Sequence, residues 1–331
     1  MYNYNDIRTI HLEVTQNCQA ACPMCDRNMN GGKDNPHITN AELSFEDCQR
    51  IFTPAFISQL KNMYMCGNLG DPIVARDSLE VFDYFRTHNE KMWLSMNTNA
   101  GAKPVEWWRE LARVYGRMGA VIFSVDGLRD TNHLYRQNVV WDNVERNMRA
   151  FVEAGGRARW DFIIFGHNEH QVEEARQMSK DLGFRAFTTK HTSRFHNGEL
   201  QVIDEKGNPL HKLEPTQKSA DMISLVKESQ NETKPTIICK AVKNRQLYVS
   251  ACGNISPCCW LDMEWIPPMQ ASRIDYMDRI GEFPNLNTSS LKEIFDGGYF
   301  EKIEKTWGHT PLQECGKQCG SFDKLGAQFE N

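Results

Sequence analysis

The stretch TQNCQAACPMCDRN, residues 15–28, places Cys18, Cys22 and Cys25 in one loop, with three and then two residues between them. The loop directly follows a β-rich run at 9–14. Three thiolates can hold three corners of a [4Fe–4S] cluster, whose usual complement is four cysteines, so one iron would be open to a further ligand. A structural zinc ion is the alternative, and it would need a fourth ligand close by.

The sequence around this loop alternates short β-rich runs with helical stretches up to about residue 190. The predicted strands are 9–14, 62–66, 92–97, 121–125, 161–165 and 186–189. The predicted helices lie near 44–59, 78–89, 104–116, 141–154 and 169–182. Ser44 and Asp47 have the spacing of a capping box, and Gly183 is typical of a helix end. Six βα repeats predict an α/β fold with a parallel sheet, open or curled into a partial (β/α)6 barrel, in which functional residues collect at the carboxyl ends of the strands.

The βα rhythm stops after residue 190, which predicts three parts: 1–190, a polar connecting segment at 191–235, and a cysteine-rich part at 236–331. The turn at 206–209 indicates a hairpin within the connecting segment. In the third part, 245–258 is predicted to be a second hairpin and 290–305 a single helix.

Composition narrows the classes of function. The chain has 331 residues, with 38 Lys+Arg against 43 Asp+Glu, a formal net charge of −5 that makes a nucleic-acid partner unlikely. No apolar run approaches the ~20 residues of a membrane span, and the first ten residues do not resemble a secretory signal, so we expect a cytoplasmic protein. Eleven cysteines, an odd number, favour metal or redox chemistry over a disulfide framework.

The loop with the three cysteines resembles the signature of the radical S-adenosylmethionine (SAM) enzymes, in which the open iron binds SAM and electron transfer from the cluster yields a 5′-deoxyadenosyl radical. The resemblance continues in CGNLGDP, residues 66–72, which is similar to the Gly-Gly-Glu-Pro element of that family. It implies that Gly67, Gly70, Asp71 and Pro72 bind SAM, with the Asp71 carboxylate accepting from its amine. An ordinary loop is the alternative for this turn.

Further SAM contacts are implied by the same resemblance at the ends of later strands: Asn97, Asn99, Ser124, Arg136 and Asn168. Arg136, in the stretch DTNHLYRQ, would pair with the SAM carboxylate, and Asn168 would border the adenine. Turn or capping chemistry is the alternative for the asparagines and the serine, and a surface arginine for Arg136.

The later cysteines have the spacing C-x13-G-x4-C followed by a terminal C-x3-C. Four thiolates suit either an auxiliary [4Fe–4S] cluster or zinc. The spacing is similar to the SPASM domain of radical SAM enzymes in its shortened twitch form, which implies one auxiliary cluster, favoured over zinc. The implied ligands are Cys239, Cys258, Cys315 and Cys319. Either Cys252 or Cys259 could replace Cys258 as a ligand.

These features together predict a radical SAM enzyme that abstracts hydrogen from a small molecule or a peptide, for oxidation or cross-linking, with flavodoxin or ferredoxin as reductant. Because the chain starts at the first strand, a small molecule is slightly favoured. One alternative is an epimerase, in which Cys66 serves as the catalytic thiol that returns a hydrogen atom. A non-catalytic iron–sulfur or zinc protein is the other alternative.

Overall fold

The computed structural model describes residues 1–195, 198–229, 235–262 and 270–321. Six parallel strands follow one another across the sheet in chain order. They are β1 (Thr9–Leu12), β2 (Asn62–Met65), β3 (Trp93–Thr98), β4 (Gly119–Ser124), β5 (Ala158–Ile163) and β6 (Ala186–Lys190). The predicted α/β fold with a mostly parallel sheet is therefore confirmed.

Seven helices connect these strands: α1 (Phe45–Ile51), α2 (Pro54–Ser58), α3 (Ser78–His88), α4 (Val105–Tyr115), α5 (Asn132–Tyr135), α6 (Trp141–Glu153) and α7 (Val172–Asp181). The capping box at the start of α1 is present, with the Ser44 hydroxyl accepting from Asp47 N–H. After α7 the backbone turns at Gly183, which has a φ of +82° that favours glycine.

The rest of the chain adds six strands and six helices among the residues that the structure describes. They are β7 (Leu200–Ile203), β8 (Pro209–Leu213), α8 (Gln217–Ser229), β9 (Thr236–Ile237), α9 (Lys240–Asn244), β10 (Gln246–Val249), β11 (Ile255–Ser256), α10 (Gln270–Arg279), α11 (Leu291–Asp296), α12 (Tyr299–Thr306), α13 (Gln313–Cys319) and β12 (Gly320–Ser321). Both predicted hairpins form, as β7–β8 and β10–β11.

Strand β10 extends the main sheet instead of forming a separate one. It pairs in parallel with β1, His11 lying opposite Tyr248, and β11 pairs antiparallel on its outer side. The sheet therefore has eight strands in the order β11-β10-β1-β2-β3-β4-β5-β6. As a consequence, residues from the C-terminal cysteine-rich part lie beside the strand that carries the first cysteine loop.

Two segments that were each predicted to form one helix form two helices instead. The segment 44–59 is two helices, because Phe52 and Thr53 interrupt the ladder and Pro54 then begins α2. The segment 290–305 is also two helices, since Gly298 takes a left-handed backbone conformation with a φ of +73°. In both places a residue that does not continue a helix marks the break.

The two faces of the sheet differ in chemistry. Side chains alternate along a strand, so the residues next to the helices are apolar and fully buried, as for Leu94 and Met96 in β3. The opposite face is polar and half-buried at Ser95 and Asn97. A polar inner face at the carboxyl ends of parallel strands is where such folds place their chemistry.

Candidate active site

The first cysteine loop packs directly beyond the carboxyl end of β1. The loop is tightened by a turn in which Cys25 N–H donates to the Cys22 carbonyl at 2.9 Å. Burial, followed by the charge of the neighbouring Cys22, raises the pKa of the Cys25 thiol to about 12. Cys22 and Cys25 likewise raise the pKa of Cys18, after burial and Asp71. The three thiols therefore lie near one another, facing the end of the sheet.

The turn after β2 packs against this loop with no space for side chains at its two glycines. A Cβ on Gly70 would lie 1.9 Å from the Thr15 carbonyl oxygen, and a Cβ on Gly67 would lie 2.3 Å from that of Gly70. Asp71 N–H donates to the Asn17 carbonyl at 3.0 Å. The glycines thus permit close backbone contact between the turn and the cysteine loop, while the adjacent Pro72 is buried.

The Asp71 carboxylate is buried and already accepts three hydrogen bonds. Its donors are Asn99 N–H at 2.8 Å, the Thr98 hydroxyl at 3.1 Å and Ile73 N–H at 3.1 Å. Burial is the main cause that raises the pKa of this carboxyl. Asp71 therefore ties the turn after β2 to the end of β3, and its predicted bond to the SAM amine would have to share these oxygens.

Asn99 connects Asp71 to the cysteine loop through hydrogen bonds. Its amide nitrogen lies 3.7 Å from the Cys18 sulfur, and its amide oxygen accepts from Gln19 at 2.6 Å. A continuous path of hydrogen bonds therefore runs from Asp71 through Asn99 to the first cysteine. This makes Asn99 a positioning residue for Cys18.

Arg136 lies against the second cysteine. Its Nε and Nη2 atoms are both 2.7 Å from Oδ2 of the fully buried Asp126, and Nη1 lies 3.5 Å from the Cys22 sulfur. Asp126 is held in turn by Asn168, whose side-chain nitrogen donates to its carbonyl at 2.9 Å. The guanidinium is thus fixed beside the loop. Asn168 is fully buried and its amide bonds only to backbone groups, so its proposed border with adenine remains a prediction.

The side chains of Asn97 and Ser124 differ from those of Asp71, Asn99 and Arg136 in their hydrogen bonding. Both are half-buried on the polar face, at the ends of β3 and β4. Neither side chain makes a hydrogen bond to any part of the chain that the structure describes. Their amide and hydroxyl groups are therefore available to a bound molecule.

The polar face also contains a buried carboxylate that the sequence analysis missed. Glu13, just after β1, accepts hydrogen bonds from Tyr248 of β10 and from Leu69 N–H at 2.8 Å. The thiol of Cys66 lies nearby, and its pKa is raised to about 12, first by burial and then by Glu13. A charged residue inside an otherwise apolar strand pattern was the available signal.

The four later cysteines line one small cavity, together with Ile237 and Trp307 among others. Cys239 directly precedes α9, Cys258 follows β11, and Cys315 and Cys319 lie on α13. The pairing of β9 with β12 brings the first and last of them together, since Ile238 N–H donates to the Cys319 carbonyl at 2.8 Å.

The neighbouring cysteines lie elsewhere. The Cys252 sulfur accepts from the Gln16 amide at 3.4 Å and lies 3.6 Å from the Thr39 hydroxyl, so it belongs beside the first loop. Cys259 does not line the four-cysteine cavity, and its thiol lies near both Cys258 and Cys66. This placement favours Cys258 over both alternatives. Within the described ranges, no three Cys, His, Asp or Glu side chains are arranged around the position of a single metal ion.

Asn68 contacts both the first cysteine loop and the segment that follows β11. The carbonyl oxygen of Asn68, in the turn after β2, lies 3.9 Å from the Cys25 sulfur. Its side-chain nitrogen donates to the Cys259 carbonyl at 3.1 Å, next to Cys258 in the chain. The segment that carries Cys258 therefore reaches the same end of the sheet as the first loop.

Family models match both regions. Residues 12–179, about half of the chain, match the model described as the radical SAM superfamily. The chain belongs to the radical SAM superfamily. Residues 239–320 match the SPASM model, described as an iron–sulfur cluster-binding domain. The resemblance inferred from the cysteine spacing is confirmed, and with it the cofactor classes: a [4Fe–4S] cluster with SAM, and auxiliary iron–sulfur binding.

Solved structures of radical SAM proteins share this fold. Streptococcus suis SuiB bound to S-adenosylmethionine superposes with a TM-score of 0.56 at 13% identity, covering 87% of this chain and 65% of SuiB. The anSMEcpe structure with bound AdoMet gives a TM-score of 0.56 at 14% identity, covering 91% of this chain and 81% of that one. This radical SAM chain thus spans a little under two thirds of SuiB. A search of curated proteins finds no match.

The residues present fit the cofactors of the superfamily. Three thiols on one loop leave a fourth cluster position free for SAM, and the free groups of Asn97 and Ser124 face the same end of the sheet. The four later thiols share one cavity and match in number the four cysteines that such a cluster needs. No helix in the described ranges is long and apolar enough to cross a bilayer.

Proposed function

We propose that this chain reductively cleaves S-adenosylmethionine at the first cysteine loop and uses the product to abstract a hydrogen atom from a bound substrate. Cys18, Cys22 and Cys25 would hold the cluster, which when bound supplies the electron for that cleavage. The observation that carries the proposal is the open set of three thiols, held at the sheet end by the turn that contains Asp71.

The residues around the loop would have two roles, positioning the cysteines and binding SAM. Asn99 and Arg136 orient Cys18 and Cys22 through their contacts with the sulfur atoms. Gly67 and Gly70 let the turn after β2 approach the loop, and Pro72 holds the chain after it. Asn97 and Ser124 offer unpaired polar groups to the ribose of SAM.

The second cysteine set would serve as an electron acceptor. Because Cys239, Cys258, Cys315 and Cys319 complete the ligand set, no iron would be open to substrate, which leaves electron transfer or structure as its role. The contacts of Asn68 with Cys25 and with the carbonyl of Cys259, the residue after Cys258, support electron transfer, since both segments reach the turn after β2. This arrangement favours oxidation or cross-linking of the substrate.

The substrate would bind on the polar face of the sheet. Asp161, on β5, is buried on that face and forms ion pairs at 2.5 Å with Arg159 and with Lys190. Charged groups at such a position can bind a polar substrate. SuiB has been solved bound to precursor peptide SuiA and anSMEcpe with a Cp18Cys peptide, which supports a peptide over a small molecule. Flavodoxin or ferredoxin would be the reductant.

The test is anaerobic reconstitution with iron and sulfide, followed by dithionite and SAM. We expect 5′-deoxyadenosine at levels above those of a Cys18→Ala control, detected by mass spectrometry. A matched Cys48→Ala variant, which changes a buried cysteine of α1, should retain activity. Equal background levels in the wild type and Cys18→Ala would overturn the proposal.

An epimerase remains a second candidate because the Cys66 thiol lies on the polar face near Glu13 and Lys190. A thiol there could return a hydrogen atom to a substrate radical. In deuterated solvent, epimerisation would place deuterium in the product and would fail in a Cys66→Ala variant. Oxidation would do neither, so the two reactions are separated once a substrate is available.

A further inference from the structure

A cavity of about 620 Å³ opens at the amino-terminal ends of the strands, opposite the cysteine loops. The first residues of four strands form its wall: Thr9 of β1, Asn62 of β2, Trp93 of β3 and Gln246 of β10. Its volume lies within the range of small-molecule sites. Because β10 supplies one wall, the cavity exists only where the C-terminal part joins the sheet.

The lining of this cavity carries one sign of charge. Arg8, Lys61, Lys243 and Arg245 line it, and no Asp or Glu of the described ranges does. Arg245 lies 4.0 Å from Asp6, at the limit of an ion pair. Lys61 and Lys243 are exposed, and their amines have no hydrogen bond or ion pair with any residue that the structure describes. A concentration of positive charge in a chain of net charge −5 indicates an anionic ligand.

The inner part of the cavity is polar. Tyr64 donates its hydroxyl hydrogen bond to Gln246 Oε1 at 3.0 Å, and Asn62 donates to Thr9 at 3.3 Å. The Ser95 hydroxyl lines the same space and makes no hydrogen bond to the described residues. Such groups can bind oxygen atoms of a ligand that reaches past the basic rim.

We infer that this cavity is a second binding site, for a small polyanion of the phosphate class with at least two negative charges. The four cations come from the residues just before β1 and β2 and from the segment around α9, and such a spread of charge favours a ligand with two anionic groups over a single ion. An acidic protein such as a flavodoxin is the competing partner. The concave shape argues against it, as does the location at the end of the sheet away from the cysteine thiols.

The test uses inorganic pyrophosphate as the probe, titrated by calorimetry into the reconstituted holoenzyme with saturating SAM. The test variant is Lys61→Gln/Lys243→Gln. The matched control is Lys180→Gln/Lys206→Gln, which removes the same two charges from exposed positions outside the cavity. We expect the wild type to bind pyrophosphate with a dissociation constant below 1 mM. The affinity should fall at least tenfold in the test variant and change no more than twofold in the control.

Three results would overturn the inference. The first is no wild-type binding of pyrophosphate at 1 mM, and the second is an equal loss of binding in both double variants. The third is absent pyrophosphate binding combined with slower flavodoxin-dependent reduction only in the Lys61→Gln/Lys243→Gln variant, which would assign the surface to a protein. Since the readout is binding and not SAM cleavage, failure of the proposed function would not change it.

Discussion

The two cysteine sets are built in opposite ways. Cys18, Cys22 and Cys25 come from eight consecutive residues and are surrounded by hydrogen-bonding partners from other strands, such as Asn99 and Arg136. The later four come from three separated segments and line a small cavity whose other neighbours are mostly apolar. The difference indicates that a set of three ligands with polar support suits a reactive site, whereas a complete set of four suits an electron carrier.

The strongest way to break this comparison is to remove the first set. We expect Cys18→Ala/Cys22→Ala/Cys25→Ala to abolish SAM cleavage while roughly half of the iron remains, because the later four cysteines do not depend on the loop. Iron and sulfide analysis together with 5′-deoxyadenosine assays would measure both effects. Loss of all iron would mean that no second cluster is present, and zinc in the remaining site would favour a structural role.

Removing the second set should have a narrower effect. In Cys315→Ala/Cys319→Ala, we expect 5′-deoxyadenosine formation to persist in part while the oxidised product disappears, since only the electron acceptor is lost. Product analysis by mass spectrometry after single turnover would check this. The idea fails if the oxidised product still forms at the wild-type yield.

The sequence revealed the first set more fully than the second. The three thiols of the first set lie close together in the chain, within residues 18–25. Their spacing and the preceding strand were therefore enough to locate them. The cavity of the later four depends on β9 pairing with β12, and the pairing of β10 with β1 joins residues more than 200 positions apart. No local pattern specifies such pairings, so only the resemblance to SPASM domains indicated which cysteines meet.

The sequence also did not predict that the proposed SAM-binding residues already bond to other residues of the chain. The motif located Asp71 and Arg136 correctly at the sheet end, yet their partners Thr98 and Asp126 come from other strands. In contrast, the helix break at Gly298 had a local signal, a glycine pair, that the periodicity analysis passed over.

Acid should destabilise the side of the sheet that bears the first loop. His11 of β1 is buried, its Nδ1 has no partner among the described residues, and burial lowers its pKa to about 4. The unfolded chain takes up a proton below about pH 6.5, whereas the folded chain does so only near pH 4. Stability present above pH 6.5 is therefore lost as the pH falls toward 4, by up to about 3 kcal/mol.

Urea unfolding of the apoprotein between pH 7 and pH 4 would measure this loss. A His11→Gln variant should lose part of the pH dependence, because burial also lowers the pKa of His167 to about 4. A matched His37→Gln variant, at an exposed position, should keep all of it. An identical pH dependence in the wild type and His11→Gln would contradict this assignment.

The smallest expected effect concerns the hydrogen bonds by which Asp71, in the turn after β2, is joined to the end of β3. Asp71→Asn should lower the free energy of unfolding by about 2 kcal/mol without SAM present, because a buried carboxylate that accepts from Asn99 and Thr98 is replaced by an amide. An exposed Asp278→Asn control should stay within about 0.5 kcal/mol of the wild type. Unchanged stability with weaker SAM binding would instead make Asp71 a direct SAM contact.

The central claim is that only the first set presents an open iron. The most direct measurement is electron paramagnetic resonance of the dithionite-reduced, reconstituted protein with and without SAM. We predict that SAM changes the signal of one cluster, and that this change persists in Cys315→Ala/Cys319→Ala. The signal left in Cys18→Ala/Cys22→Ala/Cys25→Ala should not respond to SAM. A response to SAM in that triple variant would contradict the assignment of the open iron to the first loop.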